Sequence, residues 1–261
     1  MSALHNPVPA PTQWAQLRTE AFDRERAAST VVIVPIGSTE QHGPHLPVEV
    51  DSLLVTAVAE RAAALAAAEV PTLVLPTLWV SLAEHHMDHA GSLTLDFDTL
   101  LAFLRCIVRS LQRQGYRRIL LLNGHGGNIA ALNLVVDLLT RELAVPVATA
   151  TYWVVAAEAF ASILEGQPNL LHACEAETSM VMHLRPDLVD TAAARSVQAP
   201  ATGFTLTGGI YRWRGMLHWS CSGVVGAPQL ATPEKGARLL AAAASVLAEQ
   251  LVGGLVWAEA D

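Results

Sequence analysis

The sequence predicts an α/β protein with a mostly parallel sheet covered by helices on both faces. Two observations carry this expectation. Short β-branched runs alternate along the chain with longer helical patterns. With 52% hydrophobic and only 15% charged residues, much of the chain is interior or subunit interface.

Each element follows in order. The run "TVVIVPIG", residues 30–37, reads as a buried strand. Residues 51–68 have a helical pattern, with Asp51 placed to cap it. "PTLVLPTLWV", 71–80, is strand-like, and its two prolines put it at a sheet edge. After a polar loop at 81–92, residues 96–116 form a helix that stops at Gly115. "RRILLLNGHGGN" is a strand entering a glycine-rich turn, followed by the helix "IAALNLVVDLLTREL" and a strand at 145–153. "ETSMVMHL" starts a short helix that ends before Pro186. Residues 199–231 carry no assignable pattern, and Thr232 with Pro233 opens a closing helix.

Composition removes several function classes. The formal charge of −8 argues against nucleic acid and against an anionic membrane surface. No apolar run reaches the length of a membrane span, and the N-terminal residues do not read as a signal peptide. Cys106, Cys174 and Cys221 are widely spaced without a CxxC pair, which suits a reducing cytoplasm and gives neither a disulfide framework nor a thiolate zinc site.

The chemistry concentrates beyond the strand ends, where ligands bind in such sheets. "GSTEQHGPHLPVEVD", 37–51, holds Glu40, His42, His45, Glu49 and Asp51. On an extended segment Glu40 and His42 face one side, and carboxylate with imidazole suits zinc, manganese or iron. Alone, the pair is more often a loop histidine beside a solvated glutamate. Asp51 alone reads first as an ordinary helix cap, and second as a carboxylate able to fold back and bridge two metal ions. In "NGHGGN" the glycines around His125 let the backbone turn sharply, and a histidine there favours metal over phosphate. "LLHACEAETS" offers His172, Cys174, Glu175 and Glu177; the plain alternative places both glutamates as first-turn helix charges, and a Cys174 nucleophile has no second feature behind it. His85, His86 and His89 make the 81–92 loop a candidate lid or substrate loop.

Together, "GSTEQHGPHLPVEVD", "NGHGGN" and "HACEAETSMVMHLRPDLVD" resemble the creatininase (creatinine amidohydrolase) family in order and spacing, from about residue 30 to about residue 190. The resemblance implies a creatininase-like α/β/α sandwich over residues 1–261 as a single domain, with residues 1–15 an extended N-terminal arm. It also implies two divalent metal ions (zinc, manganese or iron) per subunit and hydrolysis of an amide C–N bond. A homo-oligomer, often a hexamer, acting on a small-molecule substrate belongs to the same picture. Glu40, His42, Asp51 and His125 fall on metal ligands, with Asp51 on the bridging carboxylate. His172 falls on a proton-shuttling histidine, and Trp153 on an aromatic that packs on substrate. Creatininases proper carry a Glu ligand where this chain has Gly127, and Glu177 is the expected replacement, in a ligand and catalytic role. Relatives read H-x-x-F-P-G-T where this chain has "HMDHAGS", so His86 and His89 are expected at the substrate. Pro168 stands where a second substrate-packing Trp would lie, which moves the expectation away from creatinine.

The implied mechanism is attack by a water or hydroxide bridging the two metals, with His172 protonating the departing nitrogen. A small cyclic amide is the first substrate expected; a formamide, a small peptide or a sugar-like carbonyl compound are alternatives within the class. A metal-dependent lyase or isomerase, or a non-catalytic metabolite-binding protein, are readings of other classes.

Overall fold

The computed structural model describes residues 12–201, 203 and 210–258. The run of β-branched residues forms β1 (Val31–Ile36), buried along its whole length. It is joined by β2 (Thr72–Val74), β3 (Arg118–Asn123) and β4 (Val147–Thr151). The order is β2-β1-β3-β4, and every neighbouring pair is parallel. The Pro-flanked strand does lie at an edge. β1 is central and yet contains Pro35, and hydrogen bonding explains how. Pro35 O accepts from Leu78 N, so the ring nitrogen that lacks a proton faces the side where β2 has already ended.

Alternation along the strands sorts side chains into two apolar layers. Val31, Ile33, Leu120 and Leu122 face one cluster with α1 (Val50–Ala66), α6 (Glu175–Leu184) and α9 (Pro233–Gly253). Val32, Val34, Ile36, Ile119 and Leu121 face the other with α2 (Phe97–Arg113) and α3 (Ile129–Leu143). The result is the expected three-layer α/β/α arrangement. Asp96 and Thr232 cap α2 and α9 by accepting from Thr99 N and Lys235 N. Four shorter helices are also present among the described residues: α4 (Tyr152–Val155), α5 (Ala157–Ile163), α7 (Thr191–Ser196) and α8 (Met216–Trp219).

Two expectations change. Asp51 is not the cap of α1: Glu49 holds that position without a side-chain cap bond, and Asp51 sits in the first turn aimed elsewhere. Trp153 lies on the helical turn α4, because β4 stops at Thr151. The N-terminal arm falls outside the described residues as far as residue 11; from there Thr12 O accepts from Val74 N along the β2 edge, and Trp14–Gln16 is a 3₁₀ turn.

The chain leaves β1 toward β2 and returns to β3 on the opposite side of β1, so the sheet's switch point lies between the carboxyl ends of β1 and β3. The first turn of α1 is wedged there. A Cβ on Gly124, just after β3, would stand 2.7 Å from Val55 Cβ and 2.9 Å from the Asp51 carbonyl oxygen. Gly124→Ala is therefore expected to push α1 away and cost about 1–3 kcal/mol of stability. In the same turn Gly126 has open space around it. Gly126→Ala should be close to neutral when both variants are compared by chemical denaturation.

Candidate metal centre

Four segments deliver side chains to the switch point. The extended stretch after β1 brings Glu40 and His42, the first turn of α1 brings Asp51, the turn after β3 brings His125, and α6 with its lead-in brings Glu177 and His172. All six are buried. His125 Nδ1 lies 2.9 Å from Glu40 Oε2 and 3.0 Å from Asp51 Oδ2. His42 Nε2 lies 3.4 Å from Asp51 Oδ1 and 3.7 Å from Glu177 Oε1. Asp51 thus turns one carboxylate oxygen to each histidine.

The histidine tautomers are set by backbone carbonyls, which can only accept. His42 Nδ1 donates to Glu40 O at 3.1 Å, and His125 Nε2 donates to Leu82 O at 3.0 Å. The nitrogens left facing the carboxylates carry lone pairs. Acceptor therefore meets acceptor in a buried place, and Glu40 Oε2, His42 Nε2, Asp51 Oδ2 and Glu177 Oε2 make no hydrogen bond. Such a set is costly unless positive charge enters it. Protons can serve. Burial works against charging these rings, yet Glu40 and Asp51 lift His125 to about 10, and Asp51 with Glu177 lifts His42 well above its ordinary value. Burial, with the like charge of Asp51 adding to it, pushes Glu40 up to about 7 against the pull of His125. Divalent cations compete for the same lone pairs. Two donors about 2.0–2.2 Å from one cation stand roughly 3.0–3.5 Å apart, close to the separations here. The donor sets Glu40–Asp51–His125 and His42–His172–Glu177 each lie within ion-binding reach, and Glu40–His86–His172 forms a third overlapping group.

His172 is held from several directions. Its backbone pairs with Val225 in both directions, its Nε2 lies 2.8 Å from Gln41 O, and Ala173 after it takes a left-handed φ of 50°. Burial and the neighbouring His42 keep its pKa well below the ordinary value, so the ring is neutral and its Nδ1 faces Glu40 Oε1 at 3.6 Å.

The two glutamates of α6 divide their work. Residues two apart on a helix point to nearly opposite sides. Glu175 accepts from Gly166 N at 2.8 Å and from the only lysine, Lys235, at 2.6 Å, while Glu177 faces the ligand group. Cys174 is fully buried and its thiol is pushed up to about 12 by burial, which removes it as a nucleophile. His45 turns to Thr178 on α6 and does not line the cavity.

Above the cluster opens a cavity of about 1050 Å³. Trp153, His86 and His172 line it, whereas His89 does not. His86 contacts Gln41 and Glu40 through its two nitrogens. The space at Gly127, where creatininases proper carry a glutamate, is filled: a Cβ would meet His125 Nε2 at 2.4 Å and His85 Cε1 at 2.6 Å. His85 stacks on His125, with ring centroids 5.4 Å apart. The sequence marked His85 only as a loop residue. It gave no signal at all for the mouth, built from Tyr211, Arg212, Trp213, Arg214, His218 and Trp219.

Comparison with known proteins agrees with this geometry. The family model for creatininase (creatinine amidohydrolase) matches residues 15–251. The "Mycofactocin precursor peptide peptidase" of Mycobacterium tuberculosis is 32% identical over 247 residues, covering 92% of this chain and 91% of the relative. The "Creatinine amidohydrolase" of Pseudomonas putida is 34% identical over 184 residues, covering 64% and 69%. Two solved creatininases, one described with Mn and one a mutant of Zn-Zn type, superpose with TM-scores of 0.78 at 27% identity over 92% of this chain; 97% and 96% of those chains are covered. The chain belongs to the creatininase family, whose members are metal-dependent amidohydrolases.

Proposed function

We propose that the protein holds two divalent cations and hydrolyses the amide C–N bond of a substrate larger than a small cyclic amide, such as a short peptide or peptide-like amide. The cavity carries this reading. Pockets that enclose drug-sized ligands run about 300–1,000 Å³, and about 1050 Å³ would leave a single small ring loosely held. Its walls carry many apolar and aromatic groups, with Trp153, Leu170 and Leu171 inside and Tyr211 and Trp213 at the exposed mouth. The Mycobacterium tuberculosis relative, similar along nearly its whole length, is named for a peptide substrate. A small cyclic amide is the second reading, favoured by the Pseudomonas putida relative's name. The same reading has a homo-oligomer, hexameric by resemblance, working in the cytoplasm; among the described residues no helix is long and apolar enough to cross a membrane.

Glu40, Asp51 and His125 would hold one cation, and His42, Asp51 and Glu177 the other, with Asp51 shared. When bound, the ions supply Lewis-acid polarisation of the scissile carbonyl and activation of water near neutral pH. The chain's own part is positioning and proton transfer. Neutral His172, with its lone pair at Nδ1, accepts a proton first and returns it to the leaving nitrogen. Trp153 and the mouth residues bind and orient the substrate, and the apolar wall limits water.

The reading is tested with the zinc- or manganese-loaded protein on a panel of tri- and tetrapeptides, formyl-peptides and creatinine, in heavy-oxygen water. Cleavage of a peptide bond with label entering the new carboxylate is expected. Turnover of creatinine alone would favour the second reading, and turnover without label would point to a lyase.

Three outcomes follow from the geometry. Asp51→Asn is expected to lose both cations, measured by elemental analysis. His172→Gln is expected to keep both and slow turnover by roughly 10²–10⁴. The third concerns pH. In the metal-free chain the raised pKa values of His42 and His125 mean that protons occupy their nitrogens at neutral pH and must leave as cations enter. Zinc loading at about pH 7.5 should release about two protons per chain. Affinity should climb as pH rises toward the His125 value, and calorimetry in buffers of different ionisation enthalpy reads both quantities.

A further inference from the structure

We propose that Gln41, between the two ligands Glu40 and His42, is a positioning residue that fixes where the protons sit on His172 and His86. Donors and acceptors in this buried place have to match in number.

The carboxamide has only one orientation. Gln41 Oε1 lies 2.9 Å from the Gly43 backbone nitrogen, which can only donate, and Gln41 Nε2 lies 3.1 Å from the Gly223 carbonyl oxygen, which can only accept. The same Nε2 lies 2.9 Å from His86 Nδ1 and 2.9 Å from His172 Nε2, but it has just two protons. His172 Nε2 is also 2.8 Å from the Gln41 carbonyl oxygen. Three acceptors therefore need three protons: Gly223 O, His86 Nδ1 and Gln41 O. One arrangement fills all three, in which the approach of Gln41 Nε2 to His172 Nε2 is a contact without a proton between the two nitrogens. His172 Nε2–H donates to Gln41 O, and the amide donates to His86 Nδ1 and Gly223 O. If the proton on His172 moved to Nδ1, its Nε2 would become a fourth acceptor, and two of the four buried acceptors would be left empty.

Two consequences reach the reacting centre. His172 presents an unprotonated Nδ1 to the cavity, the state in which it can take a proton. His86 must carry its proton on Nε2, which faces Glu40 Oε1 at 3.3 Å and holds that carboxylate in place. His86 thus steadies a ligand and leaves no ring nitrogen for substrate.

Gln41 is itself braced from two sides. Gln41 N donates to Ser92 Oγ at 3.0 Å, and the side chain lies against Gly223, where φ is 74° and a Cβ would come within 2.0 Å of Gln41 Oε1. The loop at 92 and the turn at 223 thereby brace the same residue. Outer partners that fix the tautomer and orientation of site histidines are a general feature of metal centres.

The test is NMR of the histidine ring nitrogens in the zinc-loaded protein, with signals assigned through His172→Gln and His86→Gln. The expected pattern is a protonated Nε2 on both rings. A protonated Nδ1 on either would overturn the proposal. In Gln41→Met the His86 pattern should shift toward averaged tautomers. His42 and His125, whose protons go to Glu40 O and Leu82 O, should keep theirs, which separates a local effect from a damaged fold. An unchanged His86 signal would show that Gln41 does not set it. Should Gln41→Met fail to fold, Gln41→Asn serves instead, because its shorter amide is withdrawn from both rings, and the wild-type spectrum is decisive by itself.

Discussion

Lone pairs facing lone pairs are the constraint on which the rest of this structure depends. Imidazole nitrogens whose ring partners already donate to backbone carbonyls look directly at three buried carboxylates. Among the described residues Glu40 Oε2, Asp51 Oδ2 and Glu177 Oε2 find no hydrogen-bond donor. Only positive charge from outside relieves it. Protons and divalent cations are the two candidates, and each explains the other's behaviour: the same field that lifts the histidine pKa values is the field that attracts a metal ion. A site of this kind costs folding energy until it is filled, so stability and metal content are coupled.

The fold supplies that energy elsewhere. Two apolar layers, one on each face of a short parallel sheet, hold β1 and β3 rigidly side by side. The close approach of α1 to the turn after β3 then leaves Asp51 no direction but the gap between them. In this position a helix cap would be wasted, because the first-turn carboxylate is needed by two histidines at once. Precision comes from the packed elements, while the histidines themselves sit on loops that those elements tie down.

Much of this was legible in the residues. Strand and helix positions follow from apolar period, and the scattered acidic and imidazole groups follow from the rule that ligands gather beyond strand ends. Asp51 shows where local reasoning stops. An aspartate before an apolar helical pattern reads as a cap, and only the tertiary contact with His42 and His125 turns it inward. Glu175 and Glu177 show the same limit. Their spacing guarantees that they diverge, but which one meets Lys235 and which meets the site depends on how α6 lies against α9. For Tyr211 to Trp219 no local signal existed, since a stretch without periodicity becomes a cavity mouth only through the company it keeps.

The division between floor and mouth has a chemical meaning. The floor is built from buried carboxylates and imidazoles that share partners, with Asp51 facing two histidines and Glu40 three, so substitution there is expected to abolish rather than alter the chemistry. The mouth is exposed and aromatic, with Arg212 and Arg214 among its side chains. Its groups can change without disturbing the charge balance below. Crowding at Gly127 illustrates the boundary between the two. A side chain there would meet His125, His85 and the Leu82 carbonyl, so a glutamate at this position and the imidazole stacked on His125 exclude each other. The groups that carry the buried charge and the groups that surround the opening are therefore two separate sets of residues.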